Sequence, residues 1–354
     1  MQSKIKKIKI AVTSRCNLRC LHCNVEKDLA INISHSDIKK ALLLIKKYKE
    51  KKIKIEFYGG EPFLNFEVLK KSVNTIRKIK GYENSAIFIA SNGTIINKKI
   101  LDFIEKNNIY LAISFSGSLK SHNLNRVYLD GTGSYKIVKQ NIIKAIKRLK
   151  DKIIAIYCVS PDFVENMIED FKKIVLLGFK IINIECVSGS GKWNEERYNI
   201  FEKNMKKINE YILKSIKKRN YIYHESFFSY LDKERVEEFC PFYSDIELYP
   251  DGKFGFYPYS FIKYSKDRDK VVIGDVKNGF YKKYETCKYN RRKCESCIKN
   301  YYYKEELKDG GIALNIRDRL IKDFFSKIMK KNKEPLFRDY IKNAVRFERE
   351  IYGM

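Results

Sequence analysis

The chain has 354 residues, 44% apolar and 32% charged, with 72 Lys and Arg against 43 Asp and Glu for a formal charge of +29. This is a globular composition rather than a disordered one, long enough to bury a substantial core in two domains or in one large domain with an appendage. The lysines are spread along the chain (Lys39, Lys40, Lys46, Lys47, Lys51, Lys52) and read as solvated helix faces, which disfavours a nucleic-acid partner; with no export signal and no apolar stretch able to span a bilayer, a cytoplasmic location without a membrane partner is expected.

A first strand is expected over Lys7–Val12. Ser34 or Ser36 then caps a helix running to about Glu50, with Ile38, Leu42, Ile45 and Tyr48 on one side. Strands follow at Ile53–Tyr58, Ala86–Ala90, Ile109–Phe115, Ile153–Val159 and Ile181–Val187. The helices between and after them fall near Phe66–Ile79, Lys98–Lys106, Tyr135–Leu149, Val164–Leu177 and Glu195–Lys218. Six strand–helix units in order imply an α/β fold with a parallel sheet, either open or curled into a partial barrel. The Ile- and Val-rich strands suit burial on both faces. Polar, glycine-rich segments lie just past the strand C-termini, the edge where such folds place their chemistry.

After about Tyr221 the character changes. Residues 240–303 are rich in Cys, Tyr, Gly and Lys, as in a small metal-stabilised domain. From Arg317 the tail returns to helix, ending over Phe337–Ile351. The expected division is 1–220, 221–310 and 311–354.

Seven of nine cysteines fall in two groups. Without an export signal, metal ligation is favoured over a disulfide framework. Cys16, Cys20 and Cys23 follow the first strand on one loop. Three thiolates leave one iron of a cubane open, and an open position separates reactive metal sites from closed structural ones; zinc completed by His22 is the alternative. Cys158 and Cys186 read as buried structural residues. In Tyr58-Gly59-Gly60-Glu61-Pro62 the glycines permit close backbone approach, and Glu61 supplies a carboxylate at the rim suited to a cationic amine. Ser91-Asn92-Gly93-Thr94 follows the third strand and Ser114-Phe115-Ser116-Gly117 the fourth. Arg126, in His122-Asn123-Leu124-Asn125-Arg126, offers a guanidinium fork suited to a carboxylate.

Together, Cys16-Asn-Leu-Arg-Cys20-Leu-His-Cys23 and these segments resemble the radical S-adenosylmethionine (SAM) superfamily, in the subgroup with a C-terminal SPASM or Twitch domain. That subgroup includes peptide maturases and anaerobic sulfatase-maturing enzymes. The resemblance runs over about residues 7–300. It implies a partial (β/α)6 TIM-like barrel, a small C-terminal iron–sulfur auxiliary domain and terminal helices. It further implies a [4Fe-4S] cluster on Cys16, Cys20 and Cys23. SAM would be held by Gly59, Gly60, Glu61 and Pro62 and by Ser91, Asn92, Ser114 and Arg126. Ser116 and Asn123 stand where the family usually has aspartates.

Cys240-Pro241, an expected hairpin turn at Tyr249–Lys253 with Gly252 at positive φ, Ile273–Val276, and then Cys287, Cys294 and Cys297 resemble a reduced SPASM domain. Tyr257 and Tyr303 occupy positions where the full domain has cysteines. One auxiliary [4Fe-4S] cluster is therefore implied, on Cys240, Cys294 and Cys297 with Cys287 as fourth ligand; a four-cysteine zinc site is the alternative.

The resemblance implies that SAM yields a 5'-deoxyadenosyl radical, which abstracts a hydrogen from a ribosomally made peptide or protein and so leads to a thioether or carbon–carbon cross-link. The aromatics of Phe254–Phe261 could wall a peptide channel, and a basic surface suits an acidic leader. Only fifteen residues precede Cys16, so a separate leader-binding protein, or recognition by the main body, is expected, along with a flavodoxin or ferredoxin as reductant. RNA, a small metabolite or a sulfatase are the other substrates to weigh. A metal-stabilised binding protein is the non-enzyme reading. Asp245, Asp251 and Asp275 are available as proton acceptors.

Overall fold

The computed structural model of the chain describes residues 5–23, 25, 30–187, 192–231, 245–255, 272–281 and 308–352. Cys240, Cys287, Cys294 and Cys297, with Tyr257 and Tyr303, lie outside the described residues.

The strands of the first half are β1 (Ile5–Thr13), β2 (Lys49–Gly59), β3 (Ala86–Ser91), β4 (Tyr110–Ser114), β5 (Ile153–Val159) and β6 (Ile181–Cys186). Between and after them come α1 (His35–Ile45), α2 (Phe66–Lys78), α3 (Lys98–Lys106), α4 (Leu119–Asn125), α5 (Tyr135–Leu149), α6 (Met167–Leu177) and α7 (Glu195–Lys217). Side-chain oxygens start the helices by taking up free N–H groups. Ser34 accepts from Asp37 N at 3.0 Å, Asn97 from Ile100 N at 3.0 Å and Asn194 from Arg197 N at 2.9 Å. Helix α1 ends at Ile45 rather than near Glu50, because the chain from Lys49 already pairs with β1. The short helix α4 carries the His122–Arg126 segment and has no counterpart among the sequence expectations.

Strands β1 to β6 lie side by side in chain order, all parallel. Among the described strands, neither end of the sheet pairs with the other. Strand β7 (Tyr223–His224) continues the sheet past β6, and β8 (Asp245–Leu248) pairs parallel with β1 on its outer side. This is a partial α/β barrel. The antiparallel strands β9 (Lys253–Gly255), β10 (Val272–Asp275) and β11 (Gly279–Phe280) complete an eleven-stranded sheet among the described residues. The turn between β8 and β9 has the expected form, with Gly252 at φ +80° and its N–H donating to Tyr249 O at 3.0 Å. Strands β8 to β11 thus continue the main sheet.

Strands β3 to β5 present Phe88, Ala90, Ala112, Ile154 and Ile156 to the bore, as two-sided apolar burial requires, but β1, β2 and β6 depart from that expectation. Ile8, Ile10 and Val12 of β1 and Ile53, Ile55 and Phe57 of β2 sit fully in the core under the helices. Each contributes roughly 1.5–3 kcal/mol by leaving water. The alternate residues Lys7, Lys9, Lys54, Glu56, Asn183 and Glu185 face a cavity in the bore. The charges persist there because they pair: Lys7 lies 3.4 Å from Glu56, and Lys54 lies 3.8 Å from Glu56 and 3.9 Å from Glu225. Burial alone would raise the Glu56 carboxyl, but Lys7, Lys9 and Lys54 outweigh it and hold the group well below the usual range.

Helices α8 (Lys308–Lys330) and α9 (Pro335–Tyr352) close the chain. Arg317 of α8 donates to Ile184 O at 2.7 Å and pairs with Glu185 at 3.2 Å, tying the helix to β6. Tyr223 and Tyr340 stack with centroids 4.4 Å apart, and each hydroxyl donates to a carbonyl of the other's segment. No described helix is long and apolar enough to cross a membrane.

Candidate active site

Strand β1 delivers the cysteine loop, and short contacts fix where it lies. Ser14 N donates to Ile31 O at 2.9 Å, Arg15 N to Thr13 Oγ1 at 3.0 Å and Thr13 Oγ1 to Asn32 Oδ1 at 2.6 Å. On its other side the loop pairs with the end of α4: Arg19 N donates to Val127 O at 2.7 Å and Leu21 N to Asn125 O at 3.0 Å. Cys16, Cys20 and Cys23 all line one cavity of about 510 Å³. Among the described residues no three His, Cys, Asp or Glu side chains converge on a single metal ion. Ligands of a cubane have no need to, since each thiolate holds a different iron.

Gly59 and Gly60 line the same cavity. Gly60 N donates to Thr13 O and Glu61 N to Arg15 O, each at 2.8 Å. A Cβ on Gly59 would lie 2.3 Å from Thr13 O, and one on Gly60 would lie 2.1 Å from Arg15 O. The glycines therefore let the β2 turn seat directly against the cysteine loop.

Glu61 differs from the expectation of a carboxylate at the rim, since it is fully buried. It accepts from Asn92 N at 2.7 Å, Phe63 N at 3.1 Å and Ser91 Oγ at 3.0 Å, and so clamps the turn after β3 to the turn after β2. Pro62 begins the buried helical turn beside it. Asn92 passes the constraint on, donating to Asn17 Oδ1 at 2.9 Å and to Cys16 Sγ at 3.7 Å. Burial pushes the Glu61 carboxyl up from 4.5 to about 7 against these hydrogen bonds. Between those values the folded chain keeps a proton that the unfolded chain releases. Its contribution to stability is therefore complete below about pH 4.5 and is lost as pH rises toward 7, by up to about 3 kcal/mol. Urea titrations of Glu61→Gln across this window are expected to lack that part of the slope.

Ser91, Asn92, Ser114 and Arg126 also line the cavity. Arg126 is 5% exposed, with its carbonyl accepting from Ser134 Oγ at 2.8 Å. One guanidinium nitrogen donates to Cys158 Sγ at 3.3 Å, while the buried Nε has no hydrogen-bond partner. An unpaired buried donor is costly, and it marks a place for an acceptor. Arg126→Ala is expected to weaken SAM binding about tenfold or more, with partial recovery in Arg126→Lys; equal dissociation constants by equilibrium dialysis would reject this role. Three thiols and an orphaned guanidinium donor in one cavity fit a cluster-bound SAM whose carboxylate reaches Arg126.

Asn123 Oδ1 accepts from Tyr135 N at 2.9 Å and helps start α5. Asp170, from α6, accepts from Ser118 N at 3.0 Å just after Ser116 and Gly117. The sequence gives no local sign of Asp170. Cys158 does more than fill the core, since its thiol accepts from Arg126 beside the cavity, whereas Cys186 is buried in the core at the cavity's edge. Burial raises Cys158 despite the nearby guanidinium, which keeps it a thiol at neutral pH. The bore-facing charges were also missed, although Lys7 and Lys9 alternate with Ile8 and Ile10 in plain view. Asp245, Asp251 and Asp275 lie on β8, in the β8–β9 turn and on β10, and none lines the cavity.

The family model described as the radical SAM superfamily matches residues 10–187 of the 354. An uncharacterised protein of Methanocaldococcus jannaschii is 33% identical over 138 residues, covering 38% of this chain and 46% of that one. The radical SAM cyclopropyl synthase TigE of Paramaledivibacter caminithermalis is 28% identical over 170 residues, covering 42% of this chain and 33% of its own. The match thus spans less than half the length of either relative. Among solved structures, native anSMEcpe with bound AdoMet and Cp18Cys peptide superposes with a TM-score of 0.68 at 17% identity, covering 96% of this chain and 99% of that one.

Proposed function

The chain belongs to the radical SAM superfamily, and on that premise we propose that it modifies a ribosomally made peptide or protein by hydrogen abstraction, forming a thioether or carbon–carbon cross-link. The observation that carries the chemistry is the convergence of Cys16, Cys20, Cys23 and the unpartnered Nε of Arg126 on one cavity. When bound, a reduced [4Fe-4S] cluster with SAM supplies a 5'-deoxyadenosyl radical.

The chain's own residues bind, orient and exclude water. The three thiolates would hold a [4Fe-4S] cluster, with SAM completing its coordination. Arg126 takes the SAM carboxylate, and the Gly59–Gly60 backbone, Ser91, Asn92 and Ser114 line the space beside it. Glu61 and Pro62 act from behind, by holding that turn in register. Ala11, Val25, Tyr249 and Val272 form an apolar cluster against Cys23 and Tyr58, which keeps water from that side of the site. The bore beyond, lined by paired lysines and glutamates on one side and by Phe88, Ile154 and Ile156 on the other, offers a mixed polar and apolar site for substrate.

A peptide substrate is supported by anSMEcpe, which carries a bound peptide in its solved structure. The formal charge of +29 suits an acidic leader, presented directly or by a separate leader-binding protein. Cys240, Cys287, Cys294 and Cys297 suffice for one auxiliary [4Fe-4S] cluster, which could accept an electron from the substrate radical.

The test is to incubate the anaerobically reconstituted chain with SAM, dithionite and each short peptide encoded beside it. Loss of two hydrogens from one such peptide, by mass spectrometry, is the expected result. A mass change in RNA, with every peptide unaltered, would reverse the reading.

A further inference from the structure

The carboxylates that line the bore are each matched to a cation. Glu56 lies 3.4 Å from Lys7, Glu225 lies 3.9 Å from Lys54, and Glu185 lies 3.2 Å from Arg317. Two cations of the same cavity stand outside this pairing. Among the described residues neither Arg126 nor Lys9 has a carboxylate within ion-pair distance. Arg126 is assigned above to the SAM carboxylate, and Lys9 is left over. Its place in β1 aims it into the bore, because its neighbours Ile8 and Ile10 are fully buried on the opposite face. Its ammonium lies 5.8 Å from the centroid of the Tyr58 ring, beside the turn that carries Gly59 and Gly60. Burial favours the neutral amine, but Glu56, Glu247, Asp245 and Glu185 outweigh it and raise Lys9 above its ordinary value, so the group is charged at neutral pH. A partly buried ammonium with unmet donors is costly, and it marks a place for an acceptor.

Resting on the peptide-modifying reading above, we infer that Lys9 sets specificity by taking a carboxylate of the substrate peptide. Three observations select that ligand. The bore carboxylates are already engaged by Lys7, Lys54 and Arg317, so a cationic substrate group would have to displace a pair, whereas an anion meets a cation with donors to spare. The cavity is continuous from Cys16, Cys20 and Cys23 down to Lys9, which stands four residues before the end of β1 at Thr13. A ligand on Lys9 is therefore held deeper than the cysteine loop, in the space that SAM faces. The volume, about 510 Å³, must hold SAM as well, so one side chain or chain end reaches Lys9 rather than a folded segment. Phe88, Ile154 and Ile156 line the same space and suit the methylene stem that carries such a carboxylate. An acidic side chain and a free C-terminus share this chemistry.

The test uses the full chain, reconstituted anaerobically and loaded with SAM, in calorimetric titrations with three N-acetylated tripeptides. These are Ala-Glu-Ala with an amidated C-terminus, Ala-Gln-Ala with an amidated C-terminus, and Ala-Gln-Ala with a free one. At least one carboxylate peptide is expected to bind wild type about tenfold or more tightly than the peptide that has none, and the tighter of the two identifies the source. In Lys9→Met that preference should shrink to within twofold, and Lys9→Arg should restore part of it. Lys52→Met removes the same charge from an exposed position of β2 and should keep the full preference. Wild type that shows no preference, including no binding of any of the three, would overturn the assignment without recourse to a variant. An equal loss in Lys9→Met and Lys52→Met would overturn it too, by reducing the effect to net charge. 5'-Deoxyadenosine formation by wild type with dithionite is read separately. Its absence beside an intact carboxylate preference would sink the radical reading and leave the role of Lys9 standing.

Discussion

Replacing Cys16, Cys20 and Cys23 together by Ala should abolish 5'-deoxyadenosine formation and remove about four irons and four sulfides per chain. The loss should be chemical rather than structural. Cys16 Sγ accepts from Leu18 N at 3.4 Å and from Asn92 Nδ2 at 3.7 Å, both weak bonds to sulfur. The loop is pinned instead by the Ser14, Thr13, Arg19 and Leu21 contacts, none of which involves a sulfur. Circular dichroism and the urea midpoint of the apo variant should therefore match apo wild type within about 1 kcal/mol. Continued deoxyadenosine formation in the triple variant would remove the loop from the chemistry altogether.

Gly60→Ala is expected to have the second largest effect, and for a different reason. Its Cβ would fall 2.1 Å from Arg15 O and 2.6 Å from Ser14 O, both backbone atoms. No side-chain rotation relieves this, and the Ser14 N to Ile31 O bond holds the opposing segment in place. Either β2 retreats from β1 or the cysteine loop is pushed out of register. The expected cost is about 3 kcal/mol or more in apo-protein stability, together with under-loading of iron after reconstitution. Gly131→Ala is the control. Nothing lies within 4 Å of its Cβ, so only its φ of +83° is strained, at a cost of about 1–2 kcal/mol with iron content intact. Equal urea midpoints for Gly60→Ala and wild type would show that the two turns are not packed as described.

The catalytic edge was legible in the sequence because its signals are local. A strand that runs into three cysteines, and another that runs into Gly59-Gly60, each carry their meaning within about ten residues. Glu61 was read by type correctly as a carboxylate at this edge, but not by direction. Nothing local says whether a side chain after a glycine pair turns outward or folds back onto Asn92. The bore was misread along β1, β2 and β6 because Ile-rich parallel strands are usually apolar on both faces. Here a cavity stands where packed side chains would be, and Lys7, Lys9 and Glu56 occupy its wall. Asp170 and the pairing of β8 with β1 join residues far apart in the chain, and such contacts leave no periodic trace.

That last pairing bears on how the protein can be divided. Strand β8 covers the outer flank of β1, and Tyr249, at its end, is fully buried in the small cluster against Cys23. A fragment cut after α7 would leave the backbone of β1 with a bare ladder ready to recruit a neighbour, and would strip one wall from beside the thiols. Cutting the chain at the change in its composition is therefore expected to uncover the flank of β1 and the cysteine loop in a single stroke.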